Sequence, residues 1–247
     1  MTLVIVNGES VTSDSRKRMV ESAAALIGAQ GMNATSFSDV LADSGAPRGS
    51  IYFHFPGGKR ELAEDAIRWT SEQVTAHMRA SSATSASEVL QHFVALFQHV
   101  VGASDGAAGC AVAGVTIDVP SNDDALLVVA HEAFDSWSTL LADQFAAVGI
   151  APERAHGIAV IAVASVEGAL ILCRAERGGA PLDAVAEQLQ NLVASKRCLT
   201  RPLSTWPSRR RAPAEARRRS FRPDGRSSRC EPPPERLLGP DRFARAR

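Results

Sequence analysis

Cysteine, aromatic residues and long apolar runs are all scarce in this chain of 247 residues. Its four cysteines, Cys110, Cys173, Cys198 and Cys230, form neither a disulfide framework nor a metal-ligand spacing. No apolar run approaches the ~20 residues that span a bilayer, and the N-terminus lacks the basic lead and cleavage site of a signal peptide. These absences predict a cytoplasmic protein with reduced thiols that does not enter a membrane.

The motifs of common enzyme chemistry are missing too. The sequence contains no GxSxG, no HExxH, no phosphate-binding loop and no paired carboxylates with a histidine. Its histidines are scattered, and His92 and His99, a heptad apart, are most simply one face of a helix. We therefore expect no enzymatic activity, no cofactor and no metal site.

Charge divides the chain into two parts that cancel in the sum. Residues 1–195 hold 11 Lys and Arg against 22 Asp and Glu, and residues 196–247 hold 16 against 5. The second part is rich in Arg, Pro and Ser and has no sustained period, so its composition predicts disorder. Three interpretations of 197–247 stay open: a basic arm that adds non-specific DNA affinity, a solvated tail, or an out-of-frame extension.

Apolar residues at helical spacing predict an all-α fold. Residues 1–13 are expected to be loose. The expected helices cover 15–30, 36–44, 47–54, 58–79, 88–101, 121–148, 152–177 and 181–196. The apolar run 109–118 fits either a strand or a short helix by periodicity alone.

The segment 35–62 (TSFSDVLADSGAPRGSIYFHFPGGKREL) predicts a helix-turn-helix. Ser36 and Asp39 have capping-box spacing, Gly45 suits the left-handed position after a helix, and Pro47 suits the first position of the next helix. That second helix, 47–54, is too short to be stable alone, so packing from elsewhere would leave its outer face free for contacts. Arg16, Lys17 and Arg18, just upstream, are either a solvated basic helix start or phosphate contacts.

The run 45–55 (GAPRGSIYFHF) followed by Pro-Gly-Gly-Lys at 56–59 resembles the DNA-reading segment of TetR-family transcriptional regulators, specifically the LmrA/YxaF-like branch. The resemblance implies an N-terminal three-helix DNA-binding domain, 1–57, and a helical effector-binding and dimerisation domain, 58–196. It also implies that 109–118 is a short helix.

The expected DNA contacts follow from that motif. Arg48 is the best candidate for reading a base, because its guanidinium can bond bidentately to guanine. Gly49 allows close approach, Ser50 can reach a base edge or a phosphate, and Lys59 should hold a phosphate, as should Thr35 or Ser36. Tyr52 and His54 are expected phosphate or sugar contacts by analogy with the family, although packing is the alternative for both. Phe55 is read as a packing residue.

The resemblance further implies an effector pocket among the central helices. The candidate lining residues, for each of which plain core packing is the alternative, are Phe93, Phe97, Cys110, Val115, Phe134, Trp137 and Glu167. Glu167 stands out because it is a carboxylate inside an apolar run and needs a partner or a solvated cavity. The all-round apolar centre of 152–177, with 181–196, predicts a four-helix interface with a second copy of the chain.

Together these features predict a dimeric repressor that a small molecule releases from a palindromic operator. The protein would lie in the cytoplasm, on the nucleoid when bound to DNA. The alternatives are a transcriptional activator and a non-specific architectural DNA-binding protein. A plain interaction module would leave the constellation from Arg48 to Lys59 without a purpose.

Overall fold

The computed structural model of the protein describes residues 8–120 and 124–195. Within these ranges every regular element is a helix, which confirms the all-α fold. The helices are α1 (Gly8–Gln30), α2 (Phe37–Ser44), α3 (Ile51–His54), α4 (Lys59–Arg79), α5 (Ala86–Ala103), α6 (Ala111–Asp118), α7 (Asp124–Ala147), α8 (Pro152–Glu176) and α9 (Ala180–Ala194). The tail 197–247 and Ser121, part of an expected cap, lie outside the described residues.

The starts of the first and third helices differ most from the expectation. The first helix begins at Gly8, so 8–13 are helical where a loose segment was expected. The third helix begins at Ile51 rather than Pro47, because the Pro47 carbonyl accepts from the Ser50 amide at 2.9 Å and closes a tighter turn first. The segment 109–118 is helical from Ala111, as the family resemblance implied and periodicity alone could not decide.

The described helices form one compact unit in which α4 is the central connector. α1 packs on α2, α4 and α6, while α4 continues to α5 and α7, and α7 and α9 flank α8. The largest fully buried side chains are Trp137, Phe55, Phe93 and Phe145. Trp137 also donates its indole N–H to the Ser71 carbonyl at 3.4 Å, which ties α7 to α4. A movement of α4 would therefore shift the packing of both α1 and α7.

α8 corrects the expectation that no segment is apolar enough to span a membrane. Among the described residues it is the one helix that is long and apolar enough to cross a membrane, with a mean hydropathy of 2.0 over its most apolar window. A core helix of a globular protein passes the same test, and α8 buries Ile158, Val163, Val166 and Leu170 against its neighbours. Packing in the core thus accounts for the apolar residues on one face of α8.

α1 and α6 approach each other so closely that glycine is required between them. A Cβ on Gly28 of α1 would lie 2.5 Å from the Gly109 carbonyl oxygen, and a Cβ on Gly114 would lie 2.7 Å from the Ile27 carbonyl oxygen. Both distances are far below van der Waals contact. The glycines therefore allow α6 to sit directly on the backbone of α1, the first helix of the DNA-binding region.

Candidate nucleic-acid interface

The helix-turn-helix is built by the local signals that the sequence carries. Ser36 accepts from the Asp39 amide at 3.2 Å, and the Asp39 carboxylate accepts from the Ser36 amide at 2.9 Å, which completes the capping box. Hydrogen bonds from the Ser36 hydroxyl, and then from its amide, lower the pKa of Asp39. Gly45 ends α2 in the left-handed conformation, with φ of 64°.

The short α3 is held by two buried anchors and presents the rest of its surface outward. Ile51 and Phe55 are buried, whereas Tyr52 is 70 % and Phe53 is 75 % exposed. The Tyr52 ring stands edge-on to Phe37 of α2, with 5.6 Å between ring centroids. Arg48 is exposed and lines, with Tyr52 and Ser38, an open depression between α2 and α3. The exposed face thus combines the guanidinium of Arg48, the phenol of Tyr52 and the phenyl ring of Phe53.

The remaining predicted DNA contacts differ in how available they are. Gly49 and Ser36 are exposed, while Ser50, His54 and Lys59 are half-buried. The Ser50 hydroxyl donates to the Pro47 carbonyl at 2.6 Å, and His54 lies between the rings of Phe53 and Phe55. Their direct roles in DNA binding stay predictions.

Thr35 is the exception among the predicted contacts. Its side chain is buried, and its hydroxyl donates to the Gly31 carbonyl at 2.8 Å. Its backbone amide donates to the Met32 carbonyl. Both of its donors are therefore used inside the protein, in the turn between α1 and α2. A contact of Thr35 with DNA stays a prediction.

Two of the three basic residues near the start of α1 make contacts with other helices, whereas the Lys17 side chain is 69 % exposed, as a solvated charge would be. Arg16 pairs with Asp65 and Glu61 of α4, and its guanidinium lies 4.9 Å from the centre of the Phe55 ring. Arg18 donates to the Ser44 carbonyl at 3.0 Å, at the last residue of α2. Because α1 begins at Gly8, these residues are not in its first turn. Arg16 and Arg18 are structural residues that fix α2 and the α3 end against α1 and α4.

A chain of hydrogen bonds joins the DNA-binding region to α6, and sequence reasoning missed it. Asp118, the last residue of α6, accepts from the Asn33 amide at 2.8 Å, and Lys59 donates to the Asn33 carbonyl at 3.2 Å. The turn that carries Asn33 therefore connects the body to a predicted phosphate contact. No local signal could have shown this, since Asp118 and Asn33 are 85 residues apart in the chain.

The sequence also missed a histidine pair between α4 and α5. The His77 and His92 rings stack with centroids 4.2 Å apart and an interplanar angle of 4°. Each ring Nε2 lies within 2.8 Å of the other residue's carbonyl oxygen. Because a carbonyl only accepts, both Nε2 atoms must carry a proton. His92 of α5 thus pairs with His77 of α4 across the two helices.

The seven predicted effector residues separate into four places. Phe93 and Phe97 pack edge-on within α5, and Phe134 packs edge-on against Trp137 within α7. Val115 is fully buried on the inner face of α6. Cys110 and Glu167 come together at a small cavity between α1, α6 and α8. A contact of any of the seven with an effector stays a prediction.

Glu167 has the most unusual environment of the seven. Although its side chain as a whole is half-buried, both carboxylate oxygens are shielded from solvent and have no hydrogen-bond partner of normal geometry among the described residues. Burial raises its pKa to about 7, against a small opposing effect of the adjacent Cys110 thiol. Burial, and then the charge of Glu167, raise the pKa of Cys110 well above its ordinary value, so that thiol stays protonated.

The capped α2, the glycine turn and the outward-facing α3, on a larger helical body, define a helix-turn-helix DNA-binding protein. Comparison with known proteins narrows this class. Residues 20–66 match the model of the tetR family of bacterial regulatory proteins, and residues 86–188 match the C-terminal domain of LmrA/YxaF-like transcriptional regulators.

Similar full-length proteins agree with those matches. An HTH-type transcriptional regulator of Mycobacterium tuberculosis (strain ATCC 25618 / H37Rv) is 40 % identical over 186 residues, covering 73 % of this chain and 95 % of that protein. YxaF of Bacillus subtilis (strain 168) is 28 % identical over 188 residues, covering 74 % and 97 %. The crystal structure of a TetR transcriptional regulator from Legionella pneumophila has the same fold, with a TM-score of 0.65 at 24 % identity, covering 77 % and 100 %. The chain belongs to the TetR family of transcriptional regulators, in its LmrA/YxaF-like branch.

Proposed function

We propose that this regulator is a homodimeric repressor that binds a palindromic operator and is released from it by a small-molecule effector. In this proposal residues 1–57 read DNA and residues 58–196 bind the effector and the second subunit, in the bacterial cytoplasm and on the nucleoid when bound. The observation that supports this proposal most is the exposed face of α3 next to the exposed Arg48. The described residues are acidic overall, so non-specific attraction between charges would not bring the protein to DNA, and DNA binding must depend on a few placed groups.

The apolar outer face of α8 supports the dimer. Val160, Ile161, Ile171 and Leu172 are between 44 % and 57 % exposed, and with the exposed Ala164 and Gly168 they fall on one side of the helix. A stripe this apolar on the surface of a monomer is typical of a protein interface. The outward residues of α9 are mostly polar, so α9 would form the rim and α8 the centre of a self-complementary contact.

A single charge on the α8 face tests the dimer. We expect the wild-type protein to sediment as a dimer and Ile161→Arg to dissociate at least about 100-fold more readily, because an unpaired charge would be buried in each half of the contact. Val128→Arg is the matched control, since Val128 is an exposed valine on α7. If Ile161→Arg sediments as a dimer at micromolar concentration, as the wild type is expected to do, this interface is ruled out.

The contacts between head and body support effector release. α6 rests on the glycine backbone of α1, and Asp118 of α6 holds the turn whose carbonyl accepts from Lys59. An effector that favours another position of α6 or α4 would change the position of the reading helix. It would weaken DNA binding only as far as it binds the two arrangements with different affinity.

Footprinting of the DNA upstream of the protein's own coding sequence tests the repressor. We expect a protected palindrome whose halves are about 34–36 Å apart along the duplex, matching two reading heads. Salt-sensitive binding without sequence preference would instead favour an architectural DNA-binding protein. Transcription that rises when the protected site is occupied would favour an activator.

A further inference from the structure

A small cavity of about 70 Å³ lies where α1, α6 and α8 meet. Its walls are formed by residues with little or no side chain, Gly28 from α1 and Ala113 and Gly114 from α6. A cavity of about 10–15 Å³ on the same measure already holds one water molecule, so the space suits a small head group rather than a drug-sized ligand. The cavity is distinct from the aromatic pairs of α5 and α7 described above.

Glu167 lines this cavity, and among the described residues its carboxylate has no ion pair. Both oxygens are shielded from solvent and lack a hydrogen bond of normal geometry to the described residues. A carboxylate in such a position is costly unless a donor or a cation meets it. The neighbouring Cys110 thiol is a weak donor and carries no charge, so it offsets little of that cost.

The exposed lining of the cavity consists of two isoleucines and Arg174. Ile117 of α6 is 69 % exposed and Ile171 of α8 is 57 % exposed, and both line the opening. Ile171 also belongs to the α8 face described above, whereas Ile117 lies on α6 and gives the entrance an apolar edge outside that face. The site therefore combines Glu167, which is negatively charged above its pKa of about 7, with aliphatic side chains at its mouth, beside Arg174.

We propose that this cavity binds a small primary alkylamine, with its ammonium group on Glu167 and its alkyl chain against Ile117 and Ile171. An ammonium group has three donors and no acceptor, which complements a carboxylate that can only accept. A short alkyl chain would lie against the isoleucines and end on the Ile117 side, outside the proposed subunit contact. This inference rests on the proposed function only where the amine is taken to be an effector.

Occupation of the cavity would act directly on the contact between the DNA-binding region and the body. Gly28 lies on one wall and Gly114 on the other, and both make backbone approaches that leave no room for a Cβ. A ligand held between them would separate α1 from α6. The hydrogen bond from the Asn33 amide to Asp118, at the end of α6, would then be altered.

Arg174 offers the competing explanation and must be part of the test. It also lines the cavity and is exposed, so an anion could bind there instead of an amine at Glu167. The two explanations differ in the charge of the ligand and in the residue required. An amine and a carboxylic acid with the same alkyl chain therefore separate them.

Calorimetric titration of the full chain with n-butylammonium chloride tests the site, with butan-1-ol and sodium butyrate as ligands of similar size. We expect saturable binding of butylammonium alone, weakened at least about tenfold in Glu167→Gln and unchanged in Glu153→Gln, an exposed glutamate on the same helix. Ala113→Leu, which keeps Glu167 but fills the space, should also abolish binding. Absence of binding to the wild type, equal binding of butanol or butyrate, or wild-type affinity in Glu167→Gln or Ala113→Leu would each overturn the proposal.

A separate readout distinguishes the site from the proposed function. Fluorescence anisotropy with the footprinted operator measures whether bound butylammonium releases DNA. Binding that requires Glu167 supports the site whether or not DNA is released. Binding without release would contradict the amine as an effector, and failure to find any operator would contradict the repressor rather than the site.

Discussion

Glu167→Gln should change how the stability of the protein depends on pH. Burial raises the pKa of the Glu167 carboxyl to about 7 from an ordinary value of 4.5. Between these values the folded protein keeps a proton that the unfolded chain releases. The wild-type protein therefore loses stability as the pH rises from about 4.5 to above 7, because the folded state must then hold a buried, unpaired charge.

The size of this loss follows from the shift. A pKa difference of about 2.5 units corresponds to about 3 kcal/mol between the two ends of the window, as an upper estimate. Glutamine has the same shape and does not ionise, so the variant should lack that loss. Cys110, whose raised pKa keeps its thiol neutral, does not change charge in this window.

Urea denaturation at pH 5 and pH 8, at one fixed protein concentration, measures the effect. The quantity compared is the free energy of unfolding of Glu167→Gln minus that of the wild type. We expect this difference to be larger at pH 8 than at pH 5, by up to about 3 kcal/mol. Glu153→Gln should show the wild-type pH dependence, because Glu153 is exposed. Parallel pH profiles for the wild type and Glu167→Gln would refute the argument from burial.

Two further changes test how the DNA-binding region is held. Gly45→Ala should lower the free energy of unfolding by about 1–2 kcal/mol, since φ of 64° is strained for alanine although the new Cβ has room. Gly49→Ala, in open space nearby, should change it by less than about 0.5 kcal/mol, and equal costs in urea denaturation would contradict the assignment. Asp118→Ala should cost about 1 kcal/mol and speed hydrogen exchange at the Asn33 amide, which loses its acceptor. Asp135→Ala, which changes an exposed aspartate of α7, is the control. Equal exchange rates of the Asn33 amide in the two variants would mean that the Asp118 contact does not hold this turn.

Local signals predicted the parts of the fold that depend on neighbours in sequence. The capping box of Ser36 and Asp39, the left-handed Gly45 and the proline that opens α8 are each set within a few residues, and the structure has all three. The family resemblance decided that 109–118 is a helix, because an apolar run of that length fits a buried strand equally well.

Contacts between distant residues were beyond that reasoning. Arg16 and Arg18 looked like solvated or phosphate-binding charges, yet their partners Asp65 and Ser44 lie on other helices. The burial of Thr35 and the bond from Asn33 to Asp118 depend on how α6 approaches the first turn. Glu167 was noticed because a carboxylate interrupts an apolar run, but its position on a cavity needed three helices to be placed together.

Sequence-specific reading by the exposed face around α3 is the central claim, and Arg48 tests it most directly. Competition binding with single-base variants of the footprinted operator should show that Arg48→Ala loses about 1–3 kcal/mol and no longer discriminates at one base pair per half-site. Arg79→Ala, which removes the same charge from the exposed end of α4, should keep the wild-type preference at every base. Undiminished discrimination by Arg48→Ala would contradict the account.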